Sequence, residues 1–139
     1  MVYSLEKITK VAECDTLLAV ATKDREILDN RRRNLLTTVN SFDERTTDIG
    51  VELISLEARV ATYTALYNAL PEGKEKLTAE LELKRAQTRK VLLSRQEIGY
   101  NVFSLLDKQV DYTHLESQVA NADAYIAAVR AKRTALGGA

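Results

Sequence analysis

The chain has 139 residues, 45% of them apolar and 29% charged, which is enough to bury a core and too apolar for a disordered tail. Its 20 Lys and Arg balance 20 Asp and Glu, so it lacks the basic surface that nucleic acid and anionic membranes favour. With 5 Gly, 1 Pro and 1 Cys, it lacks the turn residues of an all-β fold and the cysteines of a disulfide framework.

No apolar run approaches the roughly 20 residues of a membrane-spanning helix. The start, Met1 to Glu6, has neither the basic nor the apolar region of a secretory signal. A cytoplasmic location is therefore expected, with no membrane partner.

The abundant Ala, Leu, Glu, Lys and Arg are strong helix formers, and the elements expected in chain order are helices. Leu5, Ile8 and Val11 lie off the phase that begins at Cys14, which predicts a short N-terminal helix with a break near Cys14 and Asp15 as a cap. From there an apolar row recurs every seven residues: Cys14, Ala21, Leu28, Leu35, Phe42, Ile49, Leu56, Tyr63, Leu70. Leu18, Arg25, Arg32, Val39, Thr46, Leu53, Val60 and Tyr67 accompany it four residues on. A repeat held this long keeps one stripe of a helix facing a partner.

Leu70-Pro71-Glu72-Gly73 interrupts the pattern, because proline disfavours helix in the residue before it and suits the first turn of the next. A second row then runs Leu77, Lys84, Val91, Ile98, Leu105, Tyr112, Val119, Ile126, ending before Gly137-Gly138. The chain thus reads as one all-α domain over residues 1–139: arm one at about 4–70, a turn at 71–73 and arm two at about 74–136. Two nearly equal arms on a tight turn predict a long antiparallel, coiled-coil-like hairpin. Gly50 and Gly99 are its candidate hinges.

Folding the chain at Glu72 sets Val39 opposite Leu105 and Leu53 opposite Val91, which suits a seam. It also sets Ile49 opposite Arg95, Leu56 opposite Thr88, Leu35 opposite Gln109 and Leu28 opposite Glu116, which does not. Large apolar residues meanwhile flank the seam, making the stripe wider than two helices need. A second interface is therefore expected, with self-association into a four-helix bundle. The core and interface rows comprise Leu28, Leu35, Phe42, Ile49, Leu56, Tyr63, Val91, Ile98, Leu105, Tyr112, Val119 and Ile126. The candidate partner surface comprises Leu92, Leu93, Tyr100, Phe103, Leu106 and Tyr125. This phase predicts that Leu56→Glu and Val91→Glu each unfold or dissociate the protein.

Residues that carry chemistry are sparse. The one histidine, His114, shares its helix face with Asp111 alone, too few ligands for a transition metal. Cys14 has acidic neighbours and no base beside it. Carboxylates recur at helical spacing from lysines, as in Glu6 and Lys10, Glu72 and Lys76, and Glu80 and Lys84, which marks solvated faces. No ExxH pair or glycine-rich phosphate loop occurs. No catalytic residue, cofactor or metal is expected.

Arg31-Arg32-Arg33 fans out over different helix faces, so nucleic acid is disfavoured and stays a weaker alternative, above only a helical enzyme. The sequence points to a non-enzymatic structural or adaptor protein acting through helical interfaces, its partner a second copy of itself or another helical protein. A cytoplasmic chaperone or stalk component of a secretion or assembly apparatus is the second reading, by analogy of shape.

Overall fold

A run of strong helix formers unbroken by proline, with threonines that bond back to their own helix, sets the local structure of the first half. Thr16, Thr37, Thr38, Thr46 and Thr62 each donate a hydroxyl hydrogen bond to the carbonyl four residues earlier, so these β-branched polar residues sit within a helix without an idle donor. The computed structural model describes residues 3–138 and is about nine-tenths helical; no strand occurs among the described residues. A short 3₁₀ turn, Leu5–Lys7, precedes α1 (Val11–Ala69, 59 residues), α2 (Lys74–Gly99) and α3 (Val102–Ala135). No helix among them is long and apolar enough to cross a membrane.

The N-terminal break lies earlier than the apolar phase implied. Helix α1 begins at Val11, so Cys14 and Asp15 are inside it, and Asp15 pairs with Arg133 at 2.6 Å instead of capping. Gly50 does not interrupt α1. The helix ends where Pro71 requires it to end, and Gly73 makes the turn at φ 151°, ψ −170°, a conformation open essentially to glycine alone. At the far end Gly137 (φ 91°) closes α3: its N–H donates to the Thr134 carbonyl, and the Gly138 N–H donates to the Arg133 carbonyl. That pairing satisfies carbonyls the helix leaves open.

The second arm is interrupted. Helix α2 stops at Gly99 and α3 starts at Val102, with Asn101 serving both ends. The Asn101 side chain donates to the Ile98 carbonyl at 2.8 Å and accepts the Ser104 N–H at 2.9 Å. One amide thus caps the end of one helix and the start of the next.

The described residues group into two compact units. One joins the described residues up to Thr38 with those from Lys108 onward; the other is Val39–Asp107. In the second unit, Ile49 and Leu56 of α1 pack with Ala86 and Leu93 of α2, and Leu53 and Val60 lie against them. Ala79 and Ala86 are small enough to let α2 approach α1 closely. Partners in this unit fall in number along α2 as they rise along α1: Phe42 with Tyr100, Arg45 with Gln96, Glu52 with Arg89, Tyr67 with Lys76. In the first unit Cys14, Val119, Ile126 and Val129 are buried. There Asp15 pairs with Arg133, Arg25 with Asp123 and Arg32 with Tyr112.

Candidate protein-interaction surface

The seven-residue rows decide which faces are closed and which remain open. Along α1 no member of either row, from Cys14 to Leu70 or from Leu18 to Tyr67, is exposed. Leu28, Leu35, Phe42 and Tyr63 are half-buried, while Ile49 and Leu56 are buried. Along α3 the row Leu105, Tyr112, Val119, Ile126 also faces inward, accompanied by Lys108, Leu115, Ala122 and Val129.

Helix α2 differs by one residue. Ala79, Ala86 and Leu93 are buried, with Lys76, Leu83 and Lys90 half-buried beside them, whereas Leu77, Lys84, Val91 and Ile98 are exposed. One residue turns a helix face by about 100°. The row read back from Leu105 through the second arm is therefore rotated out of the core in α2. The physical reason is the interruption at Tyr100-Asn101, which absorbs one extra residue and restarts the phase. Two expectations are corrected by this. Val91 and Ile98 are not core, at 53% and 76% exposure, and Leu93, expected on the partner surface, is fully buried. The mismatch of Ile49 with Arg95 and Leu56 with Thr88 also disappears, because both partners lie exposed and Leu93 and Ala86 take their places.

Of the other residues expected on a partner surface, Leu92, Phe103 and Leu106 are exposed. Tyr100 stacks on Phe42 with ring centroids 4.8 Å apart. Tyr125 is half-buried and meets Tyr3 edge to face at 4.9 Å.

Within the Val39–Asp107 unit the two flanks of the α1–α2 seam differ. One carries Arg89 paired with Glu52 at 2.8 Å across the seam and Arg85 with Glu82 at 2.9 Å beside it, around a groove of about 270 Å³. The hydrogen bond from Arg89 holds the Glu52 carboxyl below its ordinary pKa and raises that of Arg89. The other flank is a larger groove of about 490 Å³ lined by Val60, Gln87, Lys90, Val91, Ser94, Arg95 and Ile98, where Lys90 pairs with Glu57 of α1 at 3.9 Å. Beyond the groove α1 exposes Val51 and Ile54, and α2 exposes Leu77 and Leu81.

The unit that joins the described residues up to Thr38 with those from Lys108 onward holds a buried charge that sequence reasoning missed. Asp29 is only 5% exposed. It accepts from Arg32 at 2.9 Å and pairs with Arg33 and Arg25. The Arg32 hydrogen bond holds the Asp29 carboxyl below its ordinary pKa, Arg33 adds to that, and burial opposes it. Arg32 also donates to the Tyr112 hydroxyl at 3.2 Å, and Arg25 to Asp123 at 2.8 Å. Arg25 and Arg32 occupy the seam, and arginine there requires an acid within reach. That requirement is the signal that would have located Asp29.

Among the described residues no group of three His, Cys, Asp or Glu is placed to hold a metal ion. His114 lies exposed on α3, and Cys14 is buried. Comparison with known proteins returned no matching family model, no matching curated protein and no matching solved structure.

Proposed function

We propose that this chain is a non-enzymatic adaptor: an antiparallel helical hairpin that self-associates, bringing four helices together, and works by presenting helical faces to helical partners. The observation that carries this reading is the exposed apolar set of the Val39–Asp107 unit. Val51, Ile54, Leu77, Val91, Ile98 and Phe103 are each more than half exposed, although Ile49, Leu56 and Leu93 already fill the unit's own seam. Large apolar side chains left out in a group mark a surface that another protein covers. The falling partner numbers from Phe42–Tyr100 to Tyr67–Lys76 support the antiparallel pairing.

Light scattering over a concentration series tests the self-association. A mass that rises with concentration is expected, and a single-chain mass throughout overturns it.

A further inference from the structure

We propose that the outer stripe of α1 in one copy docks on the outer stripe of α2 in a second copy, an assignment that rests on the self-association proposed above. Both stripes are exposed, and both keep the seven-residue repeat. On α1 the stripe is Val51, Ile54, Ala58, Ala61 and Ala65; on α2 it is Leu77, Leu81, Thr88, Val91 and Ile98, interrupted by Lys84 and Arg95. Spacings of three and four residues specify a helical occupant with the same repeat. This chain supplies one.

Size and charge select which stripe meets which. The α1 stripe is mostly small and the α2 stripe mostly large, so α1 on α2 interdigitates where α1 on α1 leaves voids and α2 on α2 collides. The chain's own register, with Glu52 beside Arg89 and Tyr67 above Lys76, sets the heights. Two copies side by side without axial shift place Ala65 against Leu77 of the second copy, Ala61 against Leu81, Ile54 against Thr88 and Val51 against Val91.

The free charges agree. Asp43, Glu44 and Asp48 border the α1 stripe, Arg95 lies within the α2 stripe, and none of them forms an ion pair among the described residues. Opposite signs across the contact attract, and two α1 stripes would repel.

Such a contact uses a different surface on each copy, so it continues from copy to copy unless the rotation closes a ring. That property provides the test. Val51→Glu blocks the α1 stripe and Val91→Glu blocks the α2 stripe. Both sites are exposed, so far-UV circular dichroism should match the parent, and Ile54→Glu and Leu77→Glu repeat the two blocks if either first variant loses helix.

For the parent chain, sedimentation should show mass growing with concentration. Each variant alone should fall to a single-chain mass, and their equimolar mixture should double that mass and stop, because one intact stripe of each kind remains. A mixture that stays at the single-chain mass, or a single variant that still associates, overturns this pairing while the parent's association stands. A parent chain that never associates overturns both readings.

Discussion

Replacing Leu93 and Val91 separately by alanine tests the phase of α2 with two residues two places apart. Leu93 is fully buried between Ile49, Leu56 and Ala86. Leu93→Ala deletes three carbons, worth about 0.8 kcal/mol each in transfer, and the cavity left behind brings the loss to about 3–5 kcal/mol. Val91 is 53% exposed, so deleting its two outer carbons forfeits only about 0.8 kcal/mol of burial. Alanine's better helix propensity returns about 0.5 kcal/mol of that, leaving Val91→Ala within about 0.5 kcal/mol of the parent. Guanidinium titrations followed by far-UV circular dichroism, in dilute solution to keep the chain unassociated, measure both. Equal losses, or a larger loss at Val91, would place the core row on Leu77, Lys84, Val91 and Ile98 and refute the one-residue shift.

Other expectations follow from the capping, helix and charge details. Gly50 lies inside α1 with nothing within 4 Å of where a Cβ would stand, so Gly50→Ala should stabilise by about 0.5–1 kcal/mol in the same titration; a loss would mean a neighbour is closer than described. Asn101→Ala removes both caps and should cost about 1 kcal/mol. Asn101→Asp keeps the acceptor for the Ser104 N–H and should lose less, and hydrogen exchange at Ser104 should quicken only in the alanine variant. Asp29 and Glu52 have pKa values lowered in the folded chain, so their stabilisation is complete above the unfolded carboxylate value of about 4 and drains away as pH falls through the folded values. Thermal midpoints should therefore hold from neutrality to about pH 5 and drop below about pH 4, and Asp29→Asn with Glu52→Gln should be destabilised near neutrality and show a shallower acid slope. An unchanged slope would remove these two carboxylates from the acid transition.

Helix α1 was legible because its row is built mostly of large residues, Leu28 onward, and because Arg25, Arg32 and Thr46 could share the seam without breaking the period. Helix α2 was not, for two physical reasons. Its true row is Ala79, Ala86 and Leu93, and alanine is a weak hydrophobic signal. The competing row, Leu77, Val91 and Ile98, is larger and runs on into the genuine core row of α3. Lys84 was the one warning, since a lysine in the middle of an apolar row marks a solvated position more readily than a seam. Gly99-Tyr100-Asn101 carried the other warning, because asparagine is among the preferred N-caps and glycine weakens the helix before it.

The same shift changes the physical basis for a second interface. Read from sequence, that interface rested on an apolar stripe wider than two helices need and on a mismatch, with Ile49 and Leu56 facing Arg95 and Thr88. In the folded chain they meet Leu93 and Ala86 and need nothing more. What remains without a partner is the row that supplied the false seam. Leu77, Val91 and Ile98 keep seven-residue spacing over α2 while standing in water, and Val51, Ile54 and three alanines do the same on α1. Scattered surface hydrophobics need no explanation, but periodic ones on two helices of one unit do. The case for a second helical surface therefore rests on the exposure and spacing of these residues and not on any defect of the seam.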